Sequence, residues 1–317
     1  MQLTLAIMVA CAWIGEDEHK DFLRSLETGV EADADTDADA DIEPAWQQIG
    51  AGSGFACALD HMGLATCWGR EDSGQDDPPA IAFEQLTVGA LHACGLEADG
   101  SVTCWGADHY GETKPASYTF SRVSAANGFT CGVRTDGELG CWGYDYAGLM
   151  SPPQGIYTGV SGGSFHACGL RADSGIDCWG SGLSGETAAP EGEFRDVSAG
   201  VETSCGLGSD DSLVCWGSDD EGQVSDAPGG PVLAASVGTG GFGCAVEQGG
   251  AVSCWGDAEA LGPVPDGSFV DVAAGYSHAC AITADGLIEC FGADNYRQVS
   301  GAPTGLPGEE ALDADGD

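Results

Sequence analysis

Between Phe83 and Glu112 the chain runs FEQLTVGALHACGLEADGSVTCWGADHYGE, short apolar stretches broken by glycine and aspartate, which reads as three short strands. The first strand carries Leu86, and the same apolar position recurs at Ile49, Val123, Val160, Val197 and Val272. Three places later stands a small residue: Gly52, Gly89, Ala126, Gly163, Gly200 or Gly275. Glycine at one strand position in nearly every copy predicts that backbones approach closely there, as where inner strands crowd a central axis. The period is about 37: Cys57, Cys94, Cys131, Cys168 and Cys205 are each 37 residues apart, then Cys244 follows after 39 and Cys280 after 36.

The second and third strands form a hairpin. In CGLEADGSVTC a three-residue loop, Ala98-Asp99-Gly100, suits a type I turn followed by glycine in the left-handed conformation. Counting outward, Cys94 lands opposite Cys104. Opposed α-carbons in an antiparallel pair are roughly 4.5 to 5.5 Å apart, within reach of a disulfide. The frame predicts seven cross-strand bridges: Cys57/Cys67, Cys94/Cys104, Cys131/Cys141, Cys168/Cys178, Cys205/Cys215, Cys244/Cys254 and Cys280/Cys290. Each pair stands alone without histidines at ligand spacing, so no metal is expected.

After each hairpin comes Trp-Gly, at Trp68, Trp105, Trp142, Trp179, Trp216 and Trp255, with Phe291 in the last copy. These aromatics are expected to pack between repeats rather than to form a sugar-stacking row. Seven three-stranded repeats fit a solenoid or a β-propeller. Repeats one and seven keep the apolar, glycine and cysteine frame of the middle ones, whereas a solenoid needs polar caps at its ends. The expected fold class is therefore all-β, a seven-bladed β-propeller over residues 46–305. The sixth repeat, LAASVGTGGFGC, reads as having lost one residue between its first strand and Cys244.

Charge changes the picture of compartment and partner. The 317 residues carry a net charge of −42, with lysine only at Lys20 and Lys114. Such a surface repels phosphate backbones and anionic membranes, so no nucleic-acid partner is expected. Fourteen of the 15 cysteines fall into the hairpin pairs, which places the chain in an oxidising compartment. The leftover, Cys11, ends MQLTLAIMVAC, which resembles the close of a bacterial lipoprotein signal whose cysteine is acylated. Residues 12–45 read as an extended acidic linker in which Asp33, Asp35, Asp37, Asp39 and Asp41 alternate with small residues, and 306–317 as an acidic tail. The alternation looks like the start of a calcium loop but lacks its glycine and closing glutamate. No run of 18 apolar residues predicts a spanning helix. The chain is expected in a bacterial envelope or secreted, as a monomer, touching membrane only through a lipid at Cys11.

The frame that combines Val272, Gly275, His278, Asp285 and Gly286 of the last copy with Trp216, Gly217, Gly222 and Gln223 of the fifth resembles the regulator of chromosome condensation repeat. The resemblance covers residues 46 to about 305 and implies a seven-bladed propeller, with compact bacterial relatives of the β-lactamase inhibitor protein II type. The family's namesake is a nuclear exchange factor for a small GTPase. An acidic, disulfide-bearing chain does not share that compartment, so the resemblance implies fold rather than exchange activity.

Candidate chemistry is sparse. His92, His166 and His278 stand two before the first hairpin cysteine, where other copies have Phe55, Phe129, Thr203 and Phe242, so they are expected to fill the core. His19, His61 and His109 form no cluster. Asp99, Asp136, Asp173 and Asp285 sit at hairpin turns, where aspartate favours the geometry. No catalytic motif is present, and neither catalytic residue nor cofactor is assigned. What varies is the connection after each Trp-Gly, and there Tyr110, Tyr144, Tyr146, Met150 and Tyr296 are the candidate interaction residues. The expected function is a non-catalytic module that binds a protein or small ligand. An inhibitor of a secreted enzyme, or a hydrolase or lyase with a site between blades, are the alternatives.

Overall fold

The structure is a computed structural model that describes residues 45–308. Cys11, the acidic linker through residue 44 and the tail from 309 lie outside the described residues. Seven three-stranded antiparallel sheets follow one another, each made of consecutive strands. The first consists of β1 (Trp46–Ala51), β2 (Phe55–Asp60) and β3 (Ala65–Gly69). Blades two to seven repeat that order over 85–106, 120–143, 157–180, 194–217, 232–256 and 269–292.

The hairpin frame sets the register of every blade. Cys94 pairs with Cys104 across the ladder, and the other six couples are opposed likewise. All seven form disulfides: Cys57–Cys67, Cys94–Cys104, Cys131–Cys141, Cys168–Cys178, Cys205–Cys215, Cys244–Cys254 and Cys280–Cys290. Their α-carbons lie 4.0–4.1 Å apart, closer than ladder spacing alone predicts, because the bridge draws the two strands together. In the turn, Gly100 adopts φ 82° and its N–H donates to the Glu97 carbonyl at 2.9 Å. Asp99 accepts from the Ser101 N–H at 2.9 Å, the turn-forming role its sequence position implies.

The two cysteines of a bridge are not equivalent. The middle-strand partner is fully buried in every blade, whereas Cys67, Cys104, Cys141, Cys178, Cys215, Cys254 and Cys290 on the third strands are half-buried. All seven of these still pack against an interblade apolar cluster, so the bridges belong to the scaffold and not to a binding surface.

Blades stack face to face around the axis, and the core is a set of interblade clusters. Phe55, Cys57 and Leu59 of the first blade pack on Leu86, Ala93 and Trp105 of the second. Trp46, Ile49, Ala56 and Trp68 pack on Cys280, Ile282 and Ile288 of the seventh, which closes the ring. The Trp-Gly indoles are 5–9% exposed, too buried for a sugar-stacking row. Each indole N–H donates to a carbonyl in the loop of the preceding blade: Trp105 to Gln75 at 3.1 Å, Trp142 to Glu112 at 2.9 Å and, across the closure, Trp68 to Gln298 at 3.0 Å. Closure uses packing and these bonds, since blades one and seven each supply all three of their own strands.

The glycine ring behaves as its recurrence predicts. A Cβ on Gly163 would meet the Gly200 carbonyl oxygen at 2.1 Å, and one on Gly275 would meet that of Gly52 at 2.6 Å. Beside it runs a ring of hydroxyls. Thr87, Ser124, Ser161, Ser198 and Ser236 each accept a backbone N–H from the inner strand of the next blade at 2.9–3.0 Å. Gly50 and Ala273 hold the equivalent places opposite Cys57 and Cys280, so the hydroxyl ring is interrupted beside the closure.

The sixth blade corrects the sequence reading. Gly238 donates to Phe242, four residues on, whereas Gly275 donates to His278 and Gly52 to Phe55, three residues on. The blade has gained a residue there, not lost one: the strand aligns through Ala235 opposite Ala245, and the extra residue bulges out in the turn Thr239-Gly240-Gly241.

Candidate interaction face

Strand order gives the propeller two unlike faces. The hairpin turns lie at one end of each blade, while the Trp-Gly loops and the turns between first and second strands lie at the other. His92, which starts its strand, pairs with Gly106, which ends the next, so the Tyr110 loop and the turn before His92 share that second face.

On this loop face three of the five sequence-selected residues come together. Tyr110 and Tyr144 have ring centroids 4.6 Å apart, Tyr144 and Tyr146 lie 6.2 Å apart and nearly parallel, and Phe165 stands edge-on to Tyr146 at 5.5 Å. His109 meets the edge of Tyr110 at 6.4 Å. The result is a continuous aromatic ridge over the loops of blades two, three and four. Tyr110 is 57% exposed, Tyr146 41% and Phe165 39%, so rings usually buried in a monomer face solvent here side by side. Leu183, 90% exposed, holds the loop position in blade four that Tyr146 holds in blade three.

The structure separates the other two candidates from this ridge. Met150 is half-buried and packs against the core cluster of Phe129, Leu149 and Trp179. Tyr296 is exposed but belongs to the closure, with the Arg70 guanidinium 5.2 Å from its ring centroid. Phe165 and His109 were not selected from sequence. Phe165 precedes a core histidine in the strand-one to strand-two turn, where the other blades carry Gly54, Leu91, Gly128, Glu202, Gly241 and Ser277. An aromatic at a position otherwise without one was the available signal.

Buried side chains hold the loops that carry the ridge, a glutamate in blades two and four and Leu149 in blade three, where Asp145 accepts the Met150 N–H at 3.3 Å. Glu112, 2% exposed, accepts the N–H groups of His109 and Tyr110 at 3.1 and 2.6 Å, and Glu186 accepts that of Ser184 at 2.7 Å. Gln75, Gln223 and Gln298 do the same in other blades. The rings are thus displayed on turns tied to the scaffold rather than on free loops.

The axis offers a different arrangement. The cavity along it, about 100 Å³ and walled by the seven inner strands, is smaller than a site that encloses a drug-sized ligand. Just before the apolar position of each inner strand stand Gln48, Gln85, Arg122, Gly159, Asp196, Ala234 and Asp271. The two glutamines bridge to the next blade: Gln48 accepts from Leu86 N–H at 2.8 Å and Gln85 from Val123 N–H at 3.0 Å. Arg122 attracts Asp196 across Gly159, and Asp196 repels Asp271 across Ala234. Burial pushes the Asp196 carboxyl up to about 7 and raises that of Asp271 well above the carboxylate range. Asp271 is 2% exposed, which keeps substrate from it.

The three strand histidines fill the core as expected. Burial lowers each to about 4. His92 Nε2 bonds Thr130 Oγ1 at 2.8 Å and His166 Nε2 bonds Ser204 Oγ at 2.7 Å, in each case across to the next blade. At the closure the next blade presents Ala56. The Phe55 backbone there attracts the His278 ring without meeting it at hydrogen-bond geometry, and both ring nitrogens lack a partner. Among the described residues no three histidine, cysteine or carboxylate groups gather as metal ligands.

The regulator of chromosome condensation (RCC1) repeat profile matches residues 83–112, 194–223 and 269–298, which are blades two, five and seven from the aromatic at or just before strand one to the loop glutamate or glutamine. Three of the seven blades thus carry RCC1 repeats. The four remaining blades have the same strands, disulfide and glycine ring. No curated protein sequence matches the chain. Among solved structures, the ectodomain of the Arabidopsis thaliana receptor kinase ACR4 is similar at 26% identity and a TM-score of 0.69, over 81% of this chain and 96% of that one. The ectodomain of the Physcomitrella patens receptor kinase CR4 is similar at 25% and 0.67, over 77% and 71%. Prp20p from Saccharomyces cerevisiae, a protein that binds Gsp1p and histones, is similar at 16% and 0.63, over 73% and 80%, which speaks to fold alone. These likenesses are ones of propeller fold, and seven disulfides suit an oxidising environment.

Proposed function

We propose that the protein is a non-catalytic binding module that engages a protein partner through the aromatic ridge of its loop face. The observation that carries this reading is the run of Tyr110, Tyr144, Tyr146 and Phe165, each ring in contact with the next and three of them exposed, with the Tyr110 loop held by buried Glu112. Tyrosine gives large contact area for little lost side-chain freedom, and rigid display lowers the ordering cost of binding. Within the same reading, Cys11 carries a lipid in a bacterial envelope and the acidic segment to residue 45 spaces the propeller from the membrane.

The test is site-specific photo-crosslinking in the native host, with the reactive group placed at Tyr146 or, on the opposite face, at Ile156. Crosslinks to one protein from Tyr146 and none from Ile156 support the ridge. Crosslinks from Ile156 alone move the interface to the other face and refute it. Intact mass on the same material reads the anchor: a chain starting at acylated Cys11 agrees with it, and an unprocessed Met1 does not.

A further inference from the structure

The ridge lies in a field of one sign. Asp108 and Asp145 belong to the same loops as Tyr110, Tyr144 and Tyr146, and Asp219, Asp220 and Glu221 extend the exposed acids onto the neighbouring blade. The lysine of this region, Lys114, is already paired with Asp108. A surface of aromatic faces bordered by carboxylates on a chain of net charge −42 complements a cationic partner, not an anionic or purely apolar one.

The molecule itself shows which cation such a surface holds. Arg134 lies 4.3 Å from the Tyr118 ring centroid while Glu138 accepts its guanidinium at 3.0 Å, beside a second carboxylate at Asp136. Arg70 lies over Tyr296 while Asp72 accepts its guanidinium at 2.6 Å. Both seats combine one tyrosine face with a nearby carboxylate, because a planar guanidinium stacks on a ring and still donates sideways from its edge. The ridge repeats those ingredients in the runs Asp108-His109-Tyr110 and Tyr144-Asp145-Tyr146. Among the described residues, no arginine lies over its rings.

We propose that the ridge docks an arginine-rich polypeptide segment of its partner, with guanidinium planes on Tyr110, Tyr144 and Tyr146 and with Asp108 and Asp145 accepting their N–H groups. This rests on the reading of the ridge as the interface. Arginine is specified over lysine, since a lysine ammonium meets either the ring or the carboxylate as a point charge and cannot stack.

Calorimetric titration of the full chain with a nine-residue peptide alternating arginine and glycine tests it, beside matched peptides carrying lysine or uncharged citrulline. The arginine peptide should bind, the lysine peptide several-fold more weakly and the citrulline peptide not at all. Y110S/Y146S should weaken the arginine peptide about tenfold, and the opposite-face control M62S/I156S should not. Should Y110S/Y146S fail to fold, D108N/D145N gives the same reading. Equal affinity for arginine and lysine, equal loss in ridge and control variants, or no binding overturns the proposal, the first two because bulk charge then suffices. Crosslinking separates this failure from that of the interface. A partner captured at Tyr146 through a segment without arginine overturns the proposal and leaves the interface standing, whereas capture only at Ile156 removes both.

Discussion

Ala56→Ser should stabilise the protein, an unusual direction for a change in a packed core. Two blade junctions define what the third lacks. Thr130 Oγ1 bonds His92 Nε2 at 2.8 Å and donates to the Glu112 carbonyl at 3.2 Å, the same oxygen that receives the Trp142 indole. Ser204 repeats this with His166 at 2.7 Å, the Glu186 carbonyl at 3.2 Å and Trp216. At the closure His278 is fully buried, Gln298 supplies the carbonyl and Trp68 the indole, but Ala56 has no hydroxyl. A serine there would accept from His278 and donate to Gln298. An unpartnered buried polar group costs about 1–3 kcal/mol, and burying the new hydroxyl offsets part of the gain, so about 1 kcal/mol should remain. That corresponds to roughly 2–4 °C in melting temperature for a domain of this size. Thermal and guanidinium unfolding under non-reducing conditions measure it. Thr130→Ala and Ser204→Ala should cost about 1–2 kcal/mol as the reverse experiment. Loss in those two variants together with no gain in Ala56→Ser would refute the reasoning, since the network would then matter without being transferable between blades.

Stability should fall as pH drops below neutrality. The three core histidines have folded pKa values near 4, below the ordinary 6.5, so the unfolded chain binds more protons between those values; their contribution is present above pH 6.5 and lost on acidification toward 4. Asp196, raised to about 7, works in the opposite sense over the same range, its contribution being present below the ordinary carboxylate pKa and lost as pH rises through 7, so it offsets part of the histidine effect; Asp196→Asn should steepen the acid limb of a melting-temperature profile. Cys94→Ala/Cys104→Ala should cost about 3 kcal/mol by loop entropy, read in guanidinium. In native buffer the seven bridges should resist reductant, because the first cysteine of every pair is 0–2% exposed; rapid native-state trapping of Cys94 by an alkylating agent would contradict that. Gly163→Ala should cost about 1–3 kcal/mol, since its Cβ would lie 2.1 Å from the Gly200 oxygen and backbone must move; an unchanged melting temperature would show that the inner ring has slack.

Sequence by itself determined the repeat, the blade and the covalent frame. Those features are local or periodic: the distance from Cys94 to Cys104 through a three-residue turn is a matter of ladder counting, and a glycine repeated at one strand position reports the same crowding in every blade. Tertiary structure decided what depends on neighbours in the ring. It joined Tyr110, Tyr144, Tyr146 and Phe165 and left Met150 in the core, because adjacency on a propeller face runs from blade to blade, across residues about 37 apart in sequence. It set Arg122 and Asp196 within electrostatic reach of each other from either side of Gly159, a juxtaposition no spacing rule suggests. It also turned the sixth repeat from a deletion into an insertion, because only the ladder shows which strand residues are partners. The three histidines look alike in sequence, yet His278 alone faces an alanine, since the residue opposite it comes from the other end of the chain, where the closing ring brings blade one against blade seven.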